Sequence, residues 1–275
     1  MNGPDSIRKQ AHQPTRMKRY LYNYQTILRF ETPVSRHFFH LRCMPCENAC
    51  QRVETADFFL QPTDFLSHGT DVWGNRIQYG GRMDAHDAFV FVSSGVVCLE
   101  PYAVQTDAMD REVFLAQSQF TPVSAPMRAF VAQADPGPEA ATLSRGMALM
   151  DALYSHMTYV PGSTGHDTTA LQAFDQRAGV CQDYAHLLIA LCRCAGIPAR
   201  YVNGFLLGEG ATHAWVEVLD GDRWRGLDPT HNQLIEYGFI KLSHGRDVAD
   251  CPVSRGVFPE LTNQQNEIRV IVAEI

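Results

Sequence analysis

No stretch of this sequence is apolar enough for long enough to cross a bilayer. The longest candidate, FVFVSSGVVCL from Phe89, falls far short of the ~20 residues a spanning helix needs. There is no surplus of positive charge either. Lys and Arg number 23 against 30 Asp and Glu, for a net charge of -7, so nothing draws the chain to nucleic acid or anionic lipid. Only the first residues, with Arg8, Lys9, Arg16, Lys18 and Arg19, are locally basic, and they read as a flexible arm over residues 1–18. That arm starts polar and lacks an apolar core, so a secretory signal is not expected and a cytoplasmic location is. The chain also lacks internal repeats and low-complexity tracts. What it has is 275 residues with 45% hydrophobic content, enough for two domains or one large one.

Eight cysteines without a signal peptide fit free thiols in a reducing compartment better than a disulfide framework. Cys43, Cys46 and Cys50 lie close behind His37 and His40, which raises a metal-site reading. The C-x2-C-x3-C spacing lacks a second pair at zinc-finger distance, and HFFHLRC reads as a strand with its two histidines on opposite faces. No metal or cofactor is expected, and these cysteines receive no role.

Residues 19–120 follow the grammar of strands: short runs rich in Tyr, Phe, Val and Thr, with Trp73-Gly74-Asn75 as a hairpin turn. They predict an antiparallel, β-sandwich-like domain. Pro122, Pro126, Pro136 and Pro138 mark a junction. From Glu139 the period becomes helical, with Leu143, Met147, Met150, Leu153, Tyr154 and Met157 on the expected buried face. Asp167 or Thr168 would cap a short helix through Phe174. Next comes a helix headed by Cys181, its stripe formed by Tyr184, Leu187, Leu188, Leu191 and Ala195 and its stop by Gly196. ARYVNGFLLG, HAWVEVLDGDRWRGLDP and EIRVIVAEI read as strands. A helix packed on an antiparallel sheet is the α+β pattern, expected here over 121–275.

Chemistry concentrates in that second segment. In HAWVEVLDGDRWRGLDP, a two-residue Asp220-Gly221 turn would set Leu219 opposite Asp222 and His213 opposite Asp228, within reach of an imidazole–carboxylate hydrogen bond. Cys181 stands where unsatisfied helix N–H groups favour a thiolate and can receive an oxyanion. Nucleophile, base and orienting carboxylate are then present in the order Cys181, His213, Asp228. An arbitrary cysteine is more often an inert buried thiol, and that reading goes to Cys98, Cys192, Cys194 and Cys251. His186, one turn past Cys181, could compete as base, but a structural bond to a loop suits it better. Asp228 before Pro229 could also simply begin a turn.

GVCQDYAHLLIALCRCAGIPARYV, THAWVEV and GLDPTHN, in that order, resemble the core motifs of the transglutaminase-like superfamily, in its bacterial cysteine-protease-like branch. The likeness covers about half the chain, and the β-rich first segment resembles the N-terminal domain that often precedes this core. It implies Cys181 as nucleophile, His213 as general base and acid and Asp228 as orienter, in a papain-like arrangement. Gln182 and Asp183 match the motif without an evident role. The expected function is cysteine-dependent hydrolysis of amide or peptide bonds through a thioester acyl-enzyme, acting on a peptide, protein or small amide. The alternatives are a transamidase using the same acyl-enzyme and a non-catalytic binding module. Tyr184, Tyr201, Trp215 and Trp224 are candidates to line a cleft.

Overall fold

A computed structural model describes residues 17–106 and 111–275; most of the basic arm expected over 1–18 lies outside them. The β-rich part opens with a 17-residue strand, Lys18–Val34, whose Tyr20, Tyr22, Tyr24 and Thr26 are buried while Leu21 and Asn23 face out. Alternation of this kind marks a strand with one face on a core. It sits in a five-stranded antiparallel sheet between His86–Leu99 and Gln264–Glu274, and a second, four-stranded sheet holds His37–Leu41, Phe65–Thr70, Arg76–Arg82 and Ser254–Val257. Phe30, Phe39, Leu41, Phe89 and Phe91 join the two in one core. The expected turn at Trp73-Gly74-Asn75 is present: Thr70 pairs with Arg76, and Gly74 takes φ 82, which suits glycine.

Two strands from the far end of the sequence enter these sheets. Gln264–Glu274 pairs along Lys18–Val34, and Ser254–Val257 pairs with His37–Leu41. In return, Val104–Gln105 adds to the strand Arg223–Asp228. The segment expected as a separate unit over 121–275 is therefore hydrogen-bonded into the β-rich half. Alternation in EIRVIVAEI identifies a strand but does not say which strand it will meet.

Among the described residues four α-helices follow: α1 Ala125–Ala134, α2 Thr142–His156, α3 Ala170–Gln176 and α4 Cys181–Cys194. Their boundaries follow local chemistry. Ser124 caps α1 by accepting from the Met127 N–H, and Thr169 forms a capping box with Gln172 at α3, one or two residues past the expected cap. On α2 the buried face is Gly146, Leu149, Met150 and Leu153, while Met147 and Tyr154 are exposed, correcting the expected face by rotation. Helix α4 is not the one-sided stripe its spacing suggested. Every residue from Asp183 to Arg193 is buried, because helices cover one side and the sheet the other. Burying Leu187, Leu188, Ile189 and Leu191 contributes about 1.5–3 kcal/mol each. Gly196 at φ 75 ends the helix as expected. Arg193, in the last turn, donates to the carbonyls of Phe114, Ala199 and Arg246 and to Thr121, fixing the axis of α4 at its C-terminal end.

Against α4 lies the second major sheet, in the order Gln233–Leu234, Arg223–Asp228, His213–Asp220, Ala199–Leu206, Phe239–Gly245. Ala214, Val216 and Val218 face the helices, and Trp215 and Leu219 face a second core. A helix headed by a cysteine against an antiparallel sheet is the papain-like α+β arrangement.

Candidate active site

The hairpin that carries His213 is built two residues out of the expected register. Asp220 pairs with Arg223 and Leu219 with Trp224, so the loop is Gly221-Asp222, with Gly221 at φ 63. A Gly-X loop with positive φ at its first residue is the second favoured hairpin geometry. The slip moves Asp228 from directly opposite His213 to a diagonal position. A shift of two keeps every side chain on its face, whereas a shift of one would reverse it. The expected contact therefore survives: His213 Nε2 and Asp228 Oδ2 are 2.9 Å apart.

Asp228 is fully buried, and its second oxygen accepts from the Thr230 N–H at 3.0 Å. It thus both begins the turn that Asp-Pro suggests and orients the imidazole. With Nε2 on Asp228, His213 has Nδ1 left for Cys181, whose side chain is its other hydrogen-bond partner. Burial opposes a charge on His213, but the hydrogen bonds and charges of Asp228 and Cys181 outweigh it and raise the group from 6.5 to about 9. Burial also opposes charge on Asp228; the two histidines bonded to it hold its pKa below the usual carboxylate value. The structure thus brings all three sequence-predicted residues together at the mouth of α4.

The second of those histidines, His231, is absent from the sequence-derived site. Its Nδ1 lies 2.7 Å from Asp228 Oδ2, and its side chain is half exposed. The only sequence signal was its place three residues after Asp228, and a turn residue at that spacing points in no fixed direction. His213, Asp228 and His231 have ligand atoms within 4.8 Å of one another and could hold a metal ion. Both imidazoles are already bonded to the one carboxylate oxygen, a satisfied arrangement without an ion.

Gln182 and Asp183, unexplained by sequence, tie the helix mouth to the loop before it. Asp183 Oδ2 accepts from the Val180 N–H at 2.8 Å and from Thr164 at 2.6 Å, and Gln182 Nε2 donates to the His166 carbonyl at 3.2 Å. Gly179 is required here, since a Cβ would lie 2.6 Å from Asp183 Cβ. An acidic residue in the first turn of a helix was the available signal. His186 is a structural residue: its Nε2 accepts from the Val248 N–H, and burial depresses it to about 3.

Cys181 and His213 open into a cleft of about 490 Å³, lined with them by Gln182, Tyr201, Thr164 and His166. Of the aromatic candidates only Tyr201 lines it; Tyr184, Trp215 and Trp224 are core. The other thiols are elsewhere. Burial raises Cys43, Cys46, Cys50, Cys98, Cys192 and Cys251. Cys43 faces Gln78, Cys46 faces Asn48 and Gln51, and His37 pairs with His86, so each has its own partner.

Fold and site together describe an α+β protein whose helix-borne cysteine meets a strand-borne histidine and carboxylate. The chain belongs to the transglutaminase-like superfamily. Residues 128–229 match the "Transglutaminase-like superfamily" core, and residues 20–98 match the "Bacterial transglutaminase-like N-terminal region". A Mycobacterium leprae protein without an assigned function is 30% identical over 254 residues, covering 83% of this chain and 89% of its own length. A Mycobacterium tuberculosis relative is 38% identical over 136 residues, so the match spans 44% of this chain and only 43% of that one. A protein-glutamine gamma-glutamyltransferase of Pseudomonas aeruginosa is 35% identical over 115 residues, 35% of this chain and 17% of its own. The fold is shared with the solved structure of a "Putative Cysteine Protease" from Cytophaga hutchinsonii, at TM-score 0.79 and 23% identity over 94% of this chain and 91% of that one. Among the described residues no helix is long and apolar enough to cross a membrane.

Proposed function

We propose that the protein is a cysteine hydrolase that cleaves an amide or peptide bond through a thioester acyl-enzyme. The observation that carries this reading is His213 hydrogen-bonded on one side to Cys181 and on the other to buried Asp228. His213 holds the thiol proton as an imidazolium, and the Cys181 sulfur attacks the substrate carbonyl carbon, forming a C–S bond. The oxyanion is received at the N-terminus of α4, where the Cys181 N–H belongs to the first turn. Collapse breaks the C–N bond, and the amine leaves with the proton from His213. Water then attacks the thioester, giving one proton to His213 and releasing the acid as sulfur departs.

The second reading, passage of the acyl group to an amine, is favoured by the Pseudomonas relative's name. It begins with the same attack, so the triad does not separate the two. The cleft bears on the difference. None of its described lining residues is Asp, Glu, Lys or Arg. An ammonium entering it would lose hydration with no carboxylate to replace it, which is expensive. Water suffers no such penalty. The deciding experiment supplies a glutamine-containing peptide with excess fluorescent primary amine. Free acid is expected to exceed amine adduct; dominant incorporation of the amine would make the protein a transamidase.

A further inference from the structure

The cleft continues past the triad. A second hollow of about 440 Å³ adjoins it, and His166, Ser254 and Asn266 line both. The two share a floor. On Lys18–Val34, Tyr24 and Thr26 line the cleft and Leu28 and Phe30 the hollow; on Gln264–Glu274, Ile268 lines the cleft, Gln264 the hollow and Asn266 both. The register sets Thr26 opposite Ile268, Leu28 opposite Asn266 and Phe30 opposite Gln264, so these alternate residues lie on one face of one sheet. The same face is packed on the catalytic sheet at its other end, where Tyr22 stacks on Phe205 and the Tyr24 ring lies tilted against it. The six steps along the strand from Tyr24 to Phe30 span about 20 Å, the reach of roughly six residues of extended peptide.

The far end of this floor is aromatic and uncharged. Phe30 lies edge-on to Phe258 at 5.2 Å, Phe89 to His37 at 4.8 Å, and Phe39 beside Phe89 at 4.9 Å. His37 is neutral here, since burial and the neighbouring His86 lower it to about 4. His86 Nδ1 lies 3.1 Å from the Asp84 carbonyl, to which it can only donate, and its Nε2 lies 3.1 Å from His37 Nδ1. None of the described lining residues of the hollow is Asp, Glu, Lys or Arg. Ser254 and Gly256 on its wall belong to the end strand of their sheet, an edge whose backbone can pair with an extended chain.

We propose that this hollow is a specificity subsite, receiving an aromatic, uncharged side chain of an extended peptide whose scissile carbonyl lies at Cys181. It rests on the amide-cleaving reading of the site. A charged side chain would be stripped of water with nothing to pair it, whereas an aromatic ring meets the faces and edges of others. The β-rich half, by supplying the floor, then selects the substrate that the α+β half cleaves.

The test uses the full chain carrying Cys181→Ala, which holds substrate without turnover, and fluorescein-labelled hexapeptides of Ala, Ser and Asn. One position at a time is Phe, Asp or Lys, and binding is read by anisotropy. At one position Phe is expected to lower Kd on the order of tenfold relative to Asp or Lys. Asn266→Trp and Gln264→Trp, both at exposed strand positions, are expected to erase that preference while circular dichroism melts show the variants folded. Equal affinities at every position, or a Phe preference that survives both tryptophans, would overturn the subsite. The unsubstituted protein separates the two readings. Selective binding of the Phe peptide without cleavage defeats the hydrolase and leaves the subsite, whereas cleavage with no aromatic preference does the reverse.

Discussion

One strand, His213–Asp220, carries two charged constellations on the same face, four residues apart. At Glu217 the carboxylate is closed off: Arg200 and both contacts of Lys241 Nζ, at 2.8 and 2.9 Å, surround it, with the Tyr102 hydroxyl donating at 2.6 Å. All these groups are buried, and Tyr102 in turn accepts from Trp215 Nε1. At His213 the pairing is as tight but is left open on one side, toward the thiol and the cleft. Burial favours neutral Glu217, yet the two cations outweigh it and hold it ionised. The contrast shows that a perturbed titration by itself does not mark chemistry. Glu217 has every lone pair engaged and no route to a ligand, whereas His213 keeps one nitrogen for the Cys181 side chain beside an open cleft.

That contrast can be broken by mutation, and the largest effect is expected at the open end. Cys181→Ala should cost turnover on the order of 10⁵–10⁶ and leave the melting temperature nearly unchanged, as followed by peptide hydrolysis and calorimetry. Comparable loss of stability would mean that Cys181 is a packing residue. Next is Asp228→Asn, which keeps the shape but can hold the wrong imidazole tautomer; in serine-protease triads the same change costs about 10⁴ in kcat.

The same variant carries a pH signature. His213 is raised in the folded state from 6.5 to about 9, so its stabilising contribution is fully present below 6.5 and lost as pH rises through 9. An alkaline limb of kcat/KM near pH 9 is expected, moving toward 6.5 in Asp228→Asn. An unmoved limb would detach Asp228 from His213. Glu217→Ala comes third and reads out in stability instead: leaving Arg200 and Lys241 buried without their carboxylate should cost about 3–5 kcal/mol in urea unfolding. The smallest effect is expected for His231→Gln. Water can replace a half-exposed donor, so about 1 kcal/mol or less of support for Asp228 is lost, a few-fold drop in kcat.

The candidate site was legible because its signals are local. Cys181 at a helix mouth needs only the helix, and His213 with Asp228 needs only one hairpin whose face parity tolerates a slip of two. His231 was missed because it sits in a turn, where no period fixes direction. The all-round burial of α4 was missed because its apolar spacing names one stripe only, and the polar positions Asp183, His186 and Arg193 are buried through partners distant in sequence or in loops. The floor of the cleft was out of reach for a further reason. Tyr24 and Asn266 come from opposite ends of the sequence, and alternation names a buried face without naming what covers it.

The pairing of Lys18–Val34 with Gln264–Glu274 has a consequence for biosynthesis. Tyr20 and Glu274 are separated by 254 positions along the chain, a long-range pairing of the kind that forms slowly. A ribosome-bound chain already carrying Cys181, His213 and Asp228 would still lack the strand that supplies Asn266 and Ile268. Cys181, His213 and Asp228 are all translated before the strand that walls the cleft beside them, so a nascent chain holds the three residues of the candidate site while that cleft is still incomplete.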